Sequence, residues 1–227
     1  MLTGRTRLVG LIGNPVEQSL SPAMQNAAFA ARGLDWAYLP LLVEDGRVED
    51  AIRGLAALGF AGANVTAPHK AESASLVETE LDSVNVLVVR DGRVEGYSTD
   101  TAIVRGMSPK SPAILGAGGA AAAFVAALPG ARAFSRHGEW PPHVADADLV
   151  VNATSERDDV LVTMTPGQTL IDLPYPETAT GRAAREAGAR VITGLEVLVA
   201  QGAAAFELWT GVPAPVEVMR AAVGLPA

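Results

Sequence analysis

At 227 residues the chain is long enough for two compact lobes, and with 49% hydrophobic and 19% charged residues it is not a disordered one. The formal net charge of −8 argues against a general nucleic-acid or anionic-membrane binder, although a local cationic site for a small anion remains compatible with it. The absence of cysteine removes disulfide scaffolds, zinc-thiolate centres, iron–sulfur clusters and cysteine nucleophiles. His69, His137 and His143 lack the close pairing of a metal site, so no metal is expected.

In chain order, Arg5 and Arg7 precede Leu8–Ile12, an apolar run too short for a signal peptide and stopped by Asn14-Pro15. It reads as a buried strand. Ser21-Pro22 predicts a helix start, with Ser21 as N-cap and Pro22 at the first helical position, running to Gly33. Trp36–Leu42 suits a strand, Val48–Leu58 a helix and Gly62–Thr66 another strand. Leu87–Arg90 and Val94–Tyr97 flank Asp91-Gly92, the dipeptide of tight hairpins. Beyond Pro109 and Pro112, the uncharged stretch from Ser111 to Ala131 has the length of a membrane helix. Its prolines and glycines divide it into strand Ala113–Leu115, a glycine turn and helix Ala120–Leu128. Arg132–Phe134, Leu149–Val151, Leu170–Asp172 and Arg190–Ile192 are further strands, with Thr178–Ala187 helical before the last. The tail is helical over Glu196–Leu208 and Pro215–Val223. Strands alternating with helices predict parallel sheets covered on both faces, hence an α/β fold. The main boundary is placed near Met107–Pro112 and a second crossing near Gly194. The expected protein is soluble and cytoplasmic.

Gly116, Ala117, Gly118, Gly119, Ala120 and Ala121 fit G-x-G-x-x-A between a strand and a helix. Small residues let the backbone turn sharply and approach a pyrophosphate, which the helix N-terminus then attracts. An NAD site usually ends the next strand with an acid. Here Arg132–Phe134 runs into Ser135-Arg136-His137, and Arg136 suits a 2′-phosphate, favouring NADP. Ser19 and Ser21 offer hydroxyls beside a helix start, suited to a carboxylate. Asn64, Thr66 and Asn85 are short polar groups at strand ends, suited to ring hydroxyls.

Three segments ahead of the glycine loop add to this: Gly13 through Ser21-Pro22 to Asn26, then Asn64-Val65-Thr66-Ala67-Pro68-His69-Lys70, then Ser98-Thr99-Asp100 preceded by Ser83-Val84-Asn85. With the glycine loop, Asp172-Leu173-Pro174-Tyr175-Pro176 and Val197–Gln201 through Trp209-Thr210-Gly211, they stand in the order of the signature segments of shikimate dehydrogenases, which the chain resembles over almost its whole length. The resemblance implies two α/β domains: a substrate-binding domain over residues 1–107 and a Rossmann-like NADP-binding domain over 108–194. C-terminal helices over 195–227 would return to the first domain. It implies Lys70 and Asp100 as the catalytic pair, with substrate contacts from Ser19, Ser21, Asn64, Thr66, Asn85, Tyr175 and Gln201. Cofactor contacts would come from the glycine loop, Ser135, Arg136, Asn152, Thr154 and Gly194, with substrate in the cleft between domains. The implied reaction is reversible NADP-dependent reduction of 3-dehydroshikimate to shikimate, by a monomer or homodimer without nucleic-acid or membrane partners. Quinate, an aminoshikimate or another small hydroxy-acid is the alternative substrate, and a non-catalytic nucleotide or metabolite sensor the alternative class. The departures are local. The family His before Asn26 is Gln25, its Asn-Arg-Thr is Ser135-Arg136-His137, and its Gly-Met turn after Thr154 is Ser155-Glu156-Arg157-Asp158-Asp159.

Overall fold

The computed structural model describes residues 2–226. They form two compact units, residues 2–99 with 199–226, and Asp100–Leu198. The division after Thr99 precedes the boundary read from the sequence because the 3₁₀ turn Ala102–Val104 belongs with the second unit. Val104 is buried in a core cluster of that unit, with Ile103 and Met107 against it. The return crossing lies between Leu198 and Val199 rather than at Gly194.

The first unit is built on a five-stranded sheet. Strands β1 (Arg7–Gly13), β2 (Trp36–Leu42) and β3 (Gly62–Val65) are parallel, whereas β4 (Val86–Arg90) and β5 (Arg93–Tyr97) run antiparallel, in the order β2-β1-β3-β4-β5. The expectation of parallel strands holds for β1–β3 and fails at β4 and β5, the pair joined by the expected Asp91-Gly92 hairpin. A two-residue turn can join only antiparallel strands, and Asp91 (φ 49°) and Gly92 (φ 77°) make that turn. Helices α1 (Ser21–Ala31) and α2 (Val48–Ala57) lie where expected. Helix α3 (Lys70–Ser75) does not show in the sequence, since six residues are too few to display a hydrophobic period.

Ser21 does not cap α1. The cap position falls on Leu20, whose backbone is already helical (φ −85°, ψ −7°), and no side chain caps the end; Pro22 keeps its first-turn place.

The C-terminal helices follow as α6 (Gly194–Thr210) and α7 (Val216–Ala222), with α7 packed on α1. Trp209 on α6 donates its indole N–H to the Leu87 carbonyl on β4 at 2.9 Å. Gly62 makes this possible, since a Cβ there would stand 2.1 Å from that carbonyl oxygen and 2.6 Å from the indole nitrogen. Phe206 stacks on Phe29 of α1, ring centroids 5.4 Å apart, and both are buried.

The second unit carries a fully parallel sheet of β6 (Pro112–Leu115), β7 (Arg132–Phe134), β8 (Leu149–Asn152), β9 (Thr169–Asp172) and β10 (Arg190–Ile192), ordered β10-β9-β8-β6-β7. Alternate residues serve opposite faces. Ala113, Leu115, Val150 and Leu170 enter one core cluster, and Ile114, Leu149, Val151 and Ile171 the other. Helices α4 (Gly119–Ala127) and α5 (Ala179–Glu186) connect strands, and Thr178 caps α5 by accepting from the Gly181 N–H. The uncharged stretch from Ser111 to Ala131 is thus strand, glycine turn and helix, and among the described residues no helix is long and apolar enough to cross a membrane. The strand order reverses beside β6, and ligand crevices form at such reversals in open α/β sheets.

Candidate active site

In the first unit, five of the residues picked from the sequence fall in two hydrogen-bonded groups beside Tyr38. The Ser21 N–H donates to the Ser19 hydroxyl at 3.2 Å, and the Ser21 side chain stands beside the phenol of Tyr38. Tyr38 donates to Asn64 Oδ1 at 2.8 Å, and Asn64 Nδ2 donates to the Asn85 carbonyl at 3.0 Å. Asn85 Nδ2 lies 3.4 Å from Gln201 Oε1 and 3.1 Å from the Thr99 hydroxyl, while its Oδ1 accepts the Thr99 N–H at 2.7 Å. Ser19 and Ser21 at the head of α1 thus stand beside a bonded run of Tyr38, Asn64, Asn85 and Gln201 from β2, β3, the start of β4 and α6.

Tyr38 opens this run, although in the sequence it is only one residue of a strand. Its side chain is 1% exposed, and burial pushes its hydroxyl far above the usual range, against the opposing pull of Ser21. It therefore stays a donor and fixes which end of the Asn64 amide faces it. Asn26 locks its backbone from both sides, accepting the Tyr38 N–H at 2.9 Å and donating to the Tyr38 carbonyl at 3.0 Å. The ring packs beside Trp209 at 6.1 Å.

Thr66 and Lys70 flank the cis Ala67-Pro68 bond, where Thr66 accepts the His69 N–H. Gly13 admits Thr66: a Cβ on it would lie 2.2 Å from Thr66 Cγ2. Half-buried Lys70 opens α3, and His69 before it is buried, its Nε2 2.7 Å from the Val43 carbonyl. Gln25 is wholly buried. Its amide donates to the Gly202 carbonyl, next to Gln201, and its Oε1 has no partner among the described residues.

In the second unit, Gly116, Ala117, Gly118, Ser135, Arg136 and Thr154 line a cavity of about 430 Å³. Gly116 has φ 128°, and a Cβ on it would press to 2.9 Å from the Ala153 carbonyl, so the turn after β6 requires glycine. Nothing stands within 4 Å of a Cβ built on Gly118, which leaves the approach to the N-terminus of α4 open. Gly119 and Ala120 begin that helix, whose first N–H groups have no intrahelical acceptor. The residues present therefore fit a dinucleotide pyrophosphate.

Asn152 behaves differently. It is wholly buried, donates to Asp172 Oδ1 at 2.8 Å and accepts from the Thr154 hydroxyl at 2.7 Å, so it shapes the loop rather than lining the cavity. Thr178 completes this network by donating to both Asp172 oxygens. Gly194 is glycine for a packing reason, since a Cβ there would lie 2.4 Å from the Leu173 carbonyl. Tyr175 is half-buried; burial pushes its hydroxyl up against the nearby Arg157, which also donates to its carbonyl at 3.0 Å. Asp100 opens the second unit and is also half-buried.

Residues 11–87 match the family model of the shikimate dehydrogenase substrate binding domain, and residues 194–223 that of the shikimate 5′-dehydrogenase C-terminal domain. A curated protein of Anaeromyxobacter dehalogenans strain 2CP-C, named shikimate dehydrogenase (NADP(+)), is 41% identical over 264 aligned positions, covering 95% of each chain. The chain belongs to the shikimate dehydrogenase family. Among solved structures, a shikimate dehydrogenase in complex with NADP+ is 30% identical with a TM-score of 0.90, over 98% of this chain and 96% of that one. The Thermus thermophilus enzyme in complex with NADP(H) and shikimate is 27% identical with a TM-score of 0.83, over 96% of this chain and 98% of that one. Family membership gives the two sheets their places: a substrate-binding half at the N-terminus and a Rossmann-like parallel sheet after it.

Proposed function

We propose that this chain is an NADP-dependent oxidoreductase that interconverts 3-dehydroshikimate and shikimate, a step of aromatic amino acid biosynthesis. The observation that carries the reading is the hydrogen-bonded run of Tyr38, Asn64, Asn85 and Gln201, with Ser19 and Ser21 beside it, in a protein that aligns over 95% of its length with a curated shikimate dehydrogenase (NADP(+)). Such a row of short, fixed donors and acceptors suits a small ring bearing several hydroxyls and a carboxylate. In this reading the first unit binds substrate. Ser19 and Ser21 serve the carboxylate and Asn64, Thr66 and Asn85 the hydroxyls, with Gln201 and, from the second unit, Tyr175 as further substrate contacts.

NADPH supplies the hydride when bound. The glycine loop from Gly116 to Ala120 holds its pyrophosphate, Arg136 and Ser135 its 2′-phosphate, and Thr154 and Gly194 the rest, with Asn152 supporting Thr154 from behind. The Lys70 ammonium gives a proton to the ring oxygen as the carbonyl is reduced, and takes it back in the reverse direction. Asp100 orients that ammonium and the hydroxyl. The enzyme acts in the cytoplasm as a monomer or homodimer without nucleic acid or membrane.

Absorbance of NADPH formed from shikimate and NADP+ tests the proposal, with quinate and NAD+ as comparisons and Lys70→Ala alongside. Turnover of shikimate with NADP+, lost in the variant, is the expected result. Folded protein that binds NADP+ yet turns over neither acid would sink it.

A further inference from the structure

The loop after β8, Ser155–Asp159, departs from the family pattern and places a carboxylate at the cofactor cavity. Glu156 Oε1 accepts the backbone N–H groups of Arg157 at 3.0 Å, Asp158 at 3.2 Å and Asp159 at 3.4 Å. These donors, Asp158 foremost and with Arg136 assisting, hold its carboxyl below the usual range, so it is an anion at neutral pH. Its other oxygen, Oε2, lies 3.5 Å from Arg136 Nη2. The two partners are unequal: Glu156 is 27% exposed and anchored, while Arg136 is 63% exposed, its guanidinium 5.9 Å from the centroid of the Trp140 ring.

We propose that Glu156 is a cofactor-specificity residue, a fixed negative charge that competes with a nucleotide 2′-phosphate for Arg136 and narrows the preference for NADP over NAD. The proposal rests on the reading of the cavity as a dinucleotide site. A 2′-phosphate that pairs with Arg136 brings up to two negative charges beside an anchored carboxylate. A ribose 2′-hydroxyl brings none, and can donate to a carboxylate. Glu156 therefore opposes NADP and leaves NAD unhindered. The opposite role, holding Arg136 ready for the phosphate, would need a close, rigid contact. A 3.5 Å approach to a largely exposed arginine is a loose surface pair.

The test is equilibrium binding by calorimetry, without substrate, of NADP+, NAD+ and adenosine 2′-phosphate to the wild type, Glu156→Gln, Arg136→Ala and the double variant. Gln keeps an oxygen for the loop N–H groups, and Glu156→Ser serves if the amide variant does not fold. Removing the charge is expected to tighten NADP+ and adenosine 2′-phosphate about threefold to tenfold and to leave NAD+ unchanged or weaker. The gain should shrink as salt is raised and vanish in the double variant. NADP+ binding that is unchanged or weaker in Glu156→Gln overturns the role of Glu156 and leaves the NADP reading standing. A wild type that binds none of the three nucleotides overturns that reading and this inference with it.

Discussion

The two units solve recognition in different ways. In the first, polar side chains are buried and bonded to each other before any ligand arrives: Tyr38 and Asn85 are 1% and 3% exposed, and Asn64 has both ends of its amide engaged. In the second, the cavity is lined by the small residues of the glycine loop, which admit close approach, and by an exposed arginine that supplies charge. A substrate known by the positions of its hydroxyls needs donors that do not move, and such groups lose affinity sharply when one partner is left unpaired. A dinucleotide known by its phosphates needs open N–H groups and a charge, which tolerate looser placement. Changes in the first unit should therefore act on substrate and stability together, and changes around the second cavity on the choice of nucleotide.

The largest expected effect is at Lys70. Lys70→Ala should lower kcat by about 10²–10⁴, the range for losing a general acid–base group, while NADP+ affinity measured by calorimetry stays unchanged. A fall in NADP+ affinity of similar size would break the division of labour between the units.

Next comes Gly62→Ala. The added Cβ would meet the Leu87 carbonyl and the Trp209 indole at once, both held in a buried hydrogen bond. Overpacking of this kind costs about 1–3 kcal/mol, and more if the indole loses its acceptor. Urea unfolding should show the loss, with KM for NADP+ little altered.

How far the sequence carries one follows from particular residues. The glycine loop is legible because Gly116 must be glycine in any sequence that makes this turn, and local chemistry is written locally. The hairpin at Asp91-Gly92 is legible for the same reason. Tyr38 is not, because nothing in Trp36–Leu42 distinguishes a strand tyrosine that only packs from one that also donates a hydrogen bond; its neighbours lie at Ser21, Asn64 and Trp209, distant in sequence. Ser21 reads as a cap because Ser-Pro so often begins a helix, whereas the helix already starts one residue earlier, with Leu20 at the cap position. Glu156 carries a signal, an acid where the family has a small turn, but its pairing with Arg136 depends on the fold of the loop.

Tyr38→Phe sharpens the comparison at the next level down. It deletes one oxygen, leaving Asn64 Oδ1 without its donor. The expected loss is about 1–3 kcal/mol of stability. KM for shikimate should rise several-fold while KM for NADP+ holds. If thermal stability falls but both KM values hold, Tyr38 is only a core tyrosine and the network does not position substrate.

The smallest effect concerns acid stability in the second unit. Asp148 accepts the Lys110 N–H at 2.6 Å and the Ser111 N–H at 3.0 Å just before β6. Partial burial alone would raise its pKa, but these and further backbone donors together hold it below its ordinary value of 3.8. A carboxyl depressed in the folded state adds stability above its unfolded pKa and loses it as pH falls through the folded value. Stability measured by urea unfolding should therefore decline from about pH 4 downward, and Asp148→Asn should decline less steeply there while being slightly less stable at pH 7. Because the group is largely solvated the difference will be small, and its place is informative. It should appear in unfolding of the second unit and leave KM for shikimate untouched, whereas a shift in substrate affinity would mean that the strap before β6 reaches further than its hydrogen bonds.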